Sequence, residues 1–356
     1  MTQNTPLSPC HLHITSDVRQ RVLSAAQLKA RGVSTAQAAG QCRDGGPWQQ
    51  PLPGVYALHP GPLSGRERLR SALLYAGRPP VSARRSVPAQ KTTGTDPAYG
   101  EAMVTGLAAL SLHGFAAAPP AVALDRVDVL VPRVRRLRPV RFVRPVRTSE
   151  LPEPELLDGV PVAPAARALA NAVAGLADAF AVRRLLTEAV RGGHCEPAVV
   201  VGELNRAKVL GRPQVVNAVD SLLAEGRTLA EDRLYGLVRA YGLAEPLWNV
   251  DLRLPGGPHL GGVDAYWPEE AVALELDTRA PRYSRLDDDR RQEEHEAEWS
   301  AYAARREHLE RLGITVVHLS PKKLRDAPEQ QAVVVRTALM AAADREPAAY
   351  VVILPR

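Results

Sequence analysis

The residues best equipped for chemistry lie between Gly261 and Asp277, a stretch that reads as two short strands joined by a polar turn. In the second strand Ala271, Ala273, Glu275 and Asp277 alternate with Val272, Leu274 and Leu276, so two acids share one face and the other face is apolar. Asp264 closes the preceding strand, and a hairpin would bring it beside Glu275. Carboxylates gathered in this way repel each other unless a proton or a cation sits among them. A hard divalent ion is the expected occupant, Mg²⁺ with Mn²⁺ as its substitute. The competing reading is the solvated, acidic face of an antiparallel sheet.

Elements on either side must position these acids. Glu231 begins a segment with Leu234, Leu237, Val238 and Tyr241 at helical spacing. A strand is expected around 247–254, and a long charged helix from about 287 to 312, stopped by Gly313. Ile314 to Leu319 reads as a short apolar strand. The predicted order is α-β-β-β-α-β. With Glu231 on the first helix, Asp264 on the second strand and Glu275 on the third, residues 229–325 resemble the PD-(D/E)xK nuclease fold. The Glu275-x-Asp277 ending is similar to its very-short-patch-repair-like branch. The resemblance implies that Asp264 and Glu275 hold Mg²⁺, that Asp277 is a further ligand, and that Glu231 orients water for in-line attack on a phosphodiester. The chain departs from that pattern where a strand lysine is expected, because Asp277 stands there and Lys29, Lys91, Lys208, Lys322 and Lys323 all lie elsewhere. His295, on the charged helix, is the nearest histidine downstream. Two readings stay open: a Mg²⁺-dependent DNA endonuclease, and a nuclease-like fold kept for binding.

A second constellation lies near the N-terminus. Val18, Val22 and Leu23 have helical spacing, and Ala25 to Ala30 read as a second short helix that stops at Gly32. Ser34 or Thr35 is placed to cap the next helix, Ala36 to Gln41. Trp48 to Leu58 then reads as a β-ribbon. Small helices followed by a ribbon describe a winged helix-turn-helix, whose third helix would present Ser34, Thr35, Gln37 and Gln41 to the major groove of duplex DNA. The alternative is a small helical domain used for protein contacts. Gly32 to Gln37, Trp48, Gly54 to Leu63, Leu73 to Gly77 and Ala108 to Gly114 resemble the AbiEi-type antitoxins of type IV toxin–antitoxin systems. Joined to a very-short-patch-repair-like domain, this layout is similar to a group of actinobacterial proteins. The resemblance implies transcriptional autoregulation by operator binding, and a nucleotidyltransferase-type toxin as partner.

Between these regions Val127 to Val131 is a strand candidate, followed by Arg133, Arg135, Arg136, Arg138, Arg141, Arg144 and Arg147 with no acid from 133 to 149. Such a run would track a phosphate backbone or blunt a solvated strand edge. Net charge of +6 and a pI near 9.4 are compatible with nucleic acid. Cys10, Cys42 and Cys195 are scattered, which points to a reducing cytoplasm and no disulfide framework. Neither a membrane-spanning apolar run nor a signal-peptide pattern is read. The expected architecture is a multidomain α+β and α/β chain. It comprises a disordered tail (1–16), a winged helix-turn-helix (17–63), an α+β subdomain with a flexible insert at 78–99 (64–150), a helical bridge (151–228), the nuclease-like αβββαβ domain (229–346) and a terminal strand or tail (347–356).

Overall fold

The computed structural model describes residues 18–78, 96–277, 300, 303–343 and 350–356. The tail, most of the insert and His295 lie outside the described residues. Internal packing divides the chain into two units, Met1–His194 and Cys195–Arg356, each mixing helices with sheet.

In the first unit, α1 (Val18–Arg21) runs straight into β1 (Val22–Ser24), followed by α2 (Ala25–Ala30), α3 (Thr35–Gln41), β2 (Gln49–Leu52) and β3 (Val55–Ala57). Val22 and Leu23, expected on a helix, are strand residues paired with Ala57 and Tyr56. The reason is the next residue. Ser24 caps α2, its side chain accepting from Gln27 N–H, and a helix continued through Leu23 would leave Ser24 with no free N–H to satisfy. The three strands form an antiparallel sheet ordered β1-β3-β2. Gly54, with φ +75, makes the tight β2–β3 turn that a side chain would strain. Leu28, Ala38, Trp48, Tyr56 and Leu58 close a small core beneath the helices.

Next comes α4 (Gly65–Gly77), opened by a Ser64–Glu67 capping box. The described end of the insert, Pro97–Tyr99, is a single 3-10 turn with Tyr99 buried. There follow β4 (Met103–Thr105), α5 (Gly106–Leu112), β5 (Val127–Pro132), β6 (Val143–Thr148), β7 (Glu155–Leu157), β8 (Val160–Val162), α6 (Ala165–Gly175) and α7 (Ala179–Arg191). The sheet order is β6-β5-β4-β8-β7, with β5–β6 and β4–β8 parallel. The segment 151–228, expected as a helical bridge, therefore contains a hairpin. Asp158 and Gly159, at φ 51 and 74, are its two turn residues, the pairing that a tight hairpin favours. The two units also separate within this segment, after His194.

The second unit starts with α8 (Pro197–Arg206) and α9 (Pro213–Ala240). The latter is one unbroken helix through the boundary expected at 228/229. Strands β9 (Leu247–Arg253), β10 (His259–Trp267) and β11 (Val272–Leu276) form an antiparallel meander. Residues 303–311 are helical (α10), and β12 (Thr315–Leu319) lies parallel to β11. Then come α11 (Pro321–Asp326), α12 (Pro328–Ala343) and β13 (Val352–Pro355), which pairs with β9 as the last strand of the order β12-β11-β10-β9-β13. Of the strand and tail alternatives for the terminus, 352–355 takes the strand. Apolar residues of α9 and α12 pack with Ala265, Trp267, Leu274 and Leu276, while Leu309 of α10 packs with Val263, Tyr266 and Ala273. Among the described residues no helix is long and apolar enough to cross a membrane.

Candidate nucleic-acid interface and carboxylate site

The helix expected to read bases is short and solvent-facing. Ser34 caps it and Thr35 is its first residue; Ser34, Thr35 and Gln37 are exposed, while Gln41 is half-buried. Gln37 is not simply an outward reader. Its Oε1 accepts from both Ser34 N–H and Ser34 Oγ, each at 2.8 Å, and Ser34 Oγ in turn accepts from Gln37 N–H at 3.2 Å. A bidentate glutamine–adenine pair needs the carbonyl and the amide together, so the capping role leaves Gln37 only its amide group to offer. The ribbon is likewise more enclosed than a free wing. Pro51, Leu52, Val55, Tyr56 and Leu58 are buried, and Pro53 at the turn is exposed.

Burial at the base of this region is organised by Glu67. Its carboxylate is almost fully buried and meets Arg21 at 3.1 Å, His59 at 3.0 Å, and Ser64 N–H and Oγ at 2.8 and 2.9 Å. Burial pushes this carboxyl up, but the Ser64 bonds and the nearby His59 and Arg21 outweigh it and hold the group below its ordinary range.

The arginine run splits into two kinds of residue. Arg135 is half-buried and donates to Ala76 O at 2.7 Å and to Arg78 O. Burial, and then the charge of Arg78, lower its pKa. Arg141 donates to Gln50 O and Pro51 O on β2 at 3.0 and 3.1 Å. Arg147 donates to Arg135 O at 3.1 Å and Leu137 O at 2.5 Å, and Arg144 grips Asp128 with two bonds of 2.6 and 2.5 Å. Arg133, Arg136 and Arg138 are exposed, as are Arg141 and Arg147, while Arg144 is half-buried like Arg135. Arg135, Arg141, Arg144 and Arg147 are thus engaged within the first unit, and Arg135, expected among the DNA contacts, anchors the loop.

The carboxylates of the second unit do not converge as expected. Regular pairing of Ala265 with Leu274 and Tyr266 with Ala273 points to Asp264 lying opposite Glu275. However, alternation breaks at Asp264, since Val263 and Tyr266 belong to one core cluster and Ala265 and Trp267 to the other. On the neighbouring strand Asn249, between the paired Trp248 and Val250, is left-handed with φ 50. Asp264 therefore turns toward α9. Its Oδ1 takes Arg227 Nη2 at 3.0 Å and its Oδ2 takes Leu276 N–H at 2.7 Å. Arg227 Nε also holds Glu231 at 2.8 Å, and the guanidinium pKa is raised, by that bond first and by Asp264 after it. Glu275 is buried and faces other partners, Arg305 Nη2 at 2.8 Å and His318 Nδ1 at 3.7 Å. Asp277 is exposed at the strand end, its N–H bonded to Leu319 O at 2.9 Å.

Among the described residues no group of His, Cys, Asp or Glu is arranged to hold a metal ion. The cation demanded by Glu231, Asp264 and Glu275 is supplied by arginine, so these residues as placed do not fit Mg²⁺ or Mn²⁺. Sequence reasoning missed Arg227, Arg305 and His318. One signal was present for Arg227, which stands four residues before Glu231 on a helix. His318 is brought opposite Glu275 by the parallel β11–β12 register, which no local pattern encodes. Arg305 fits because Gly261, at φ +107, leaves space. A Cβ there would stand 2.6 Å from the guanidinium, which also donates to Leu260 O and Gly262 O at 2.9 Å.

Compared with known proteins, the chain matches no family model and no curated protein.

Proposed function

We propose that this is a DNA-binding protein, a transcriptional regulator of the antitoxin type, with a nuclease-like second unit that no longer cleaves. The observation that carries the reading is the order α1-β1-α2-α3-β2-β3 with sheet order β1-β3-β2, which leaves a capped, exposed α3 followed by a ribbon. That is the arrangement expected of a winged helix-turn-helix over residues 17–63. The succession α9, antiparallel β9–β10–β11, α10 and parallel β12 supports the PD-(D/E)xK resemblance of the second unit. Pairing of its acids with Arg227 and Arg305 favours binding over hydrolysis. Duplex DNA is then the ligand, a nucleotidyltransferase-type toxin the family's partner, and the cytoplasm the compartment.

The test is fluorescence anisotropy of the full chain with duplex DNA across a salt series, because phosphate contacts make affinity fall steeply with salt. Failure to bind any duplex at low salt would remove the reading. The endonuclease alternative is judged by adding Mn²⁺. A metal-dependent rise in Tm together with plasmid nicking, both lost in Glu275→Ala, would replace our reading with that one. We expect neither.

A further inference from the structure

We infer that the loop 133–142 is a second DNA-contacting element, seated beside the β2–β3 hairpin, and that Arg133, Arg136 and Arg138 are its phosphate contacts. The inference rests on the DNA-binding reading and extends it to a region outside the winged-helix-like segment.

The loop's backbone is fastened at successive carbonyls. Arg147 holds those of Arg135 and Leu137, and Tyr75 Oη donates to that of Arg138 at 2.9 Å. Leu137 is buried beneath it. Arg135 reaches back to the end of α4, and Arg141 crosses to the β2 carbonyls of Gln50 and Pro51. Arg78, at the end of α4, donates to Pro53 O at the hairpin turn and stacks its guanidinium over Tyr75 at 4.5 Å from the ring centre. The hairpin, the end of α4 and the loop are thus tied into one surface.

What this surface presents is positive charge without its usual cancellation. Every tie donates to a neutral carbonyl, so the charges of Arg135, Arg141 and Arg147 are not offset by a carboxylate in these bonds. Arg133, Arg136 and Arg138 add three exposed guanidinium groups. Val134, next to Arg133, is 84 % exposed, so the loop stands out into solvent there. Glu101 is the carboxylate that acts on Arg135 from elsewhere in the unit. A rigid loop of planar, forked cations loses little entropy on gripping phosphate oxygens, and the contact is blind to base sequence. The loop would therefore supply general affinity, while α3 supplies site preference.

The experiment compares the intact chain with the triple variant Arg133→Gln, Arg136→Gln, Arg138→Gln, using anisotropy on a random-sequence duplex over a salt series. Arg233→Gln, Arg306→Gln, Arg311→Gln serves as a charge-matched control. Thermal melts confirm that both variants are folded. The slope of log affinity against log salt should fall by about 0.9 for each phosphate no longer gripped, about 2.7 in all, in the loop variant and not in the control. Duplex binding with an unchanged slope would overturn the loop's role and leave the DNA-binding reading standing. An equal fall in both variants would also overturn it, because net charge alone would then account for the weaker salt dependence. No duplex binding by the intact chain would remove both.

Discussion

Arginine does opposite work around the loop 133–142 of the first unit and around the carboxylates of the second. Around the loop of the first unit, Arg135, Arg141 and Arg147 donate to backbone carbonyls, which fastens the chain and leaves the positive charge in place. In the second unit, Arg227 and Arg305 meet Glu231, Asp264 and Glu275, which fastens the sheet and cancels charge on both sides. A run of arginines therefore says little about a binding surface until the acceptors are known. Neutral acceptors build a basic surface that is still open to an anion. Charged acceptors consume the very groups that a metal would have used.

Breaking one arginine in each unit tests this contrast most strongly. Arg305→Ala leaves Glu275 buried beside His318 with its main cation gone. The cost should be about 3 kcal/mol, at the low end for a broken buried pair because Arg305 is itself partly exposed. Arg141→Ala strands only two neutral carbonyls near solvent and should cost about 1 kcal/mol. Urea denaturation of both variants reads the difference, and equal losses of stability would dissolve the distinction.

A medium effect is expected at Glu67, where an acid of the first unit is held by both kinds of partner. Its folded pKa is depressed, so its contribution is fully present above the ordinary glutamate value of about 4.3 and is lost as pH falls through the lowered value. Stability of the chain should fall on acidification in that window, and Glu67→Gln should flatten the fall. A variant whose acid profile matches that of the parent would show that the Ser64, His59 and Arg21 contacts do not favour the carboxylate. The smallest effect sets the baseline. Arg306 pairs with Glu310 on the exposed side of α10 at 2.8 Å, and Arg306→Ala should cost about 0.3–0.5 kcal/mol in the same denaturation assay. A larger cost would mean that exposed pairs matter here as much as the buried ones.

Elements written in local chemistry were legible in the sequence. The Ser34 cap, the stop at Gly32, the hairpin around Gly54 and the strand-helix-strand succession from 247 to 319 all follow from capping, turn and alternation patterns acting over a few residues. The hairpin at Asp158-Gly159 carried an equally local signal, overlooked beneath the alanine-rich segments that follow it. The face on which Glu275 lies was also readable, since Leu274 and Leu276 pack in one core cluster and Ala273, on the face of Glu275, in the other, although both faces are buried.

The sequence by itself determined which groups need a partner: three acids that repel each other and a run of arginines with no acid from 133 to 149. Only the tertiary structure decided which partner each receives. The change of face in β10 at Asp264, the parallel β11–β12 register that sets His318 against Glu275, and the space over Gly261 that admits Arg305 each depend on residues far apart in the chain. A charge feels whatever lies within a few ångströms regardless of sequence separation, so pattern along the chain specifies the demand and long-range packing selects the group that meets it.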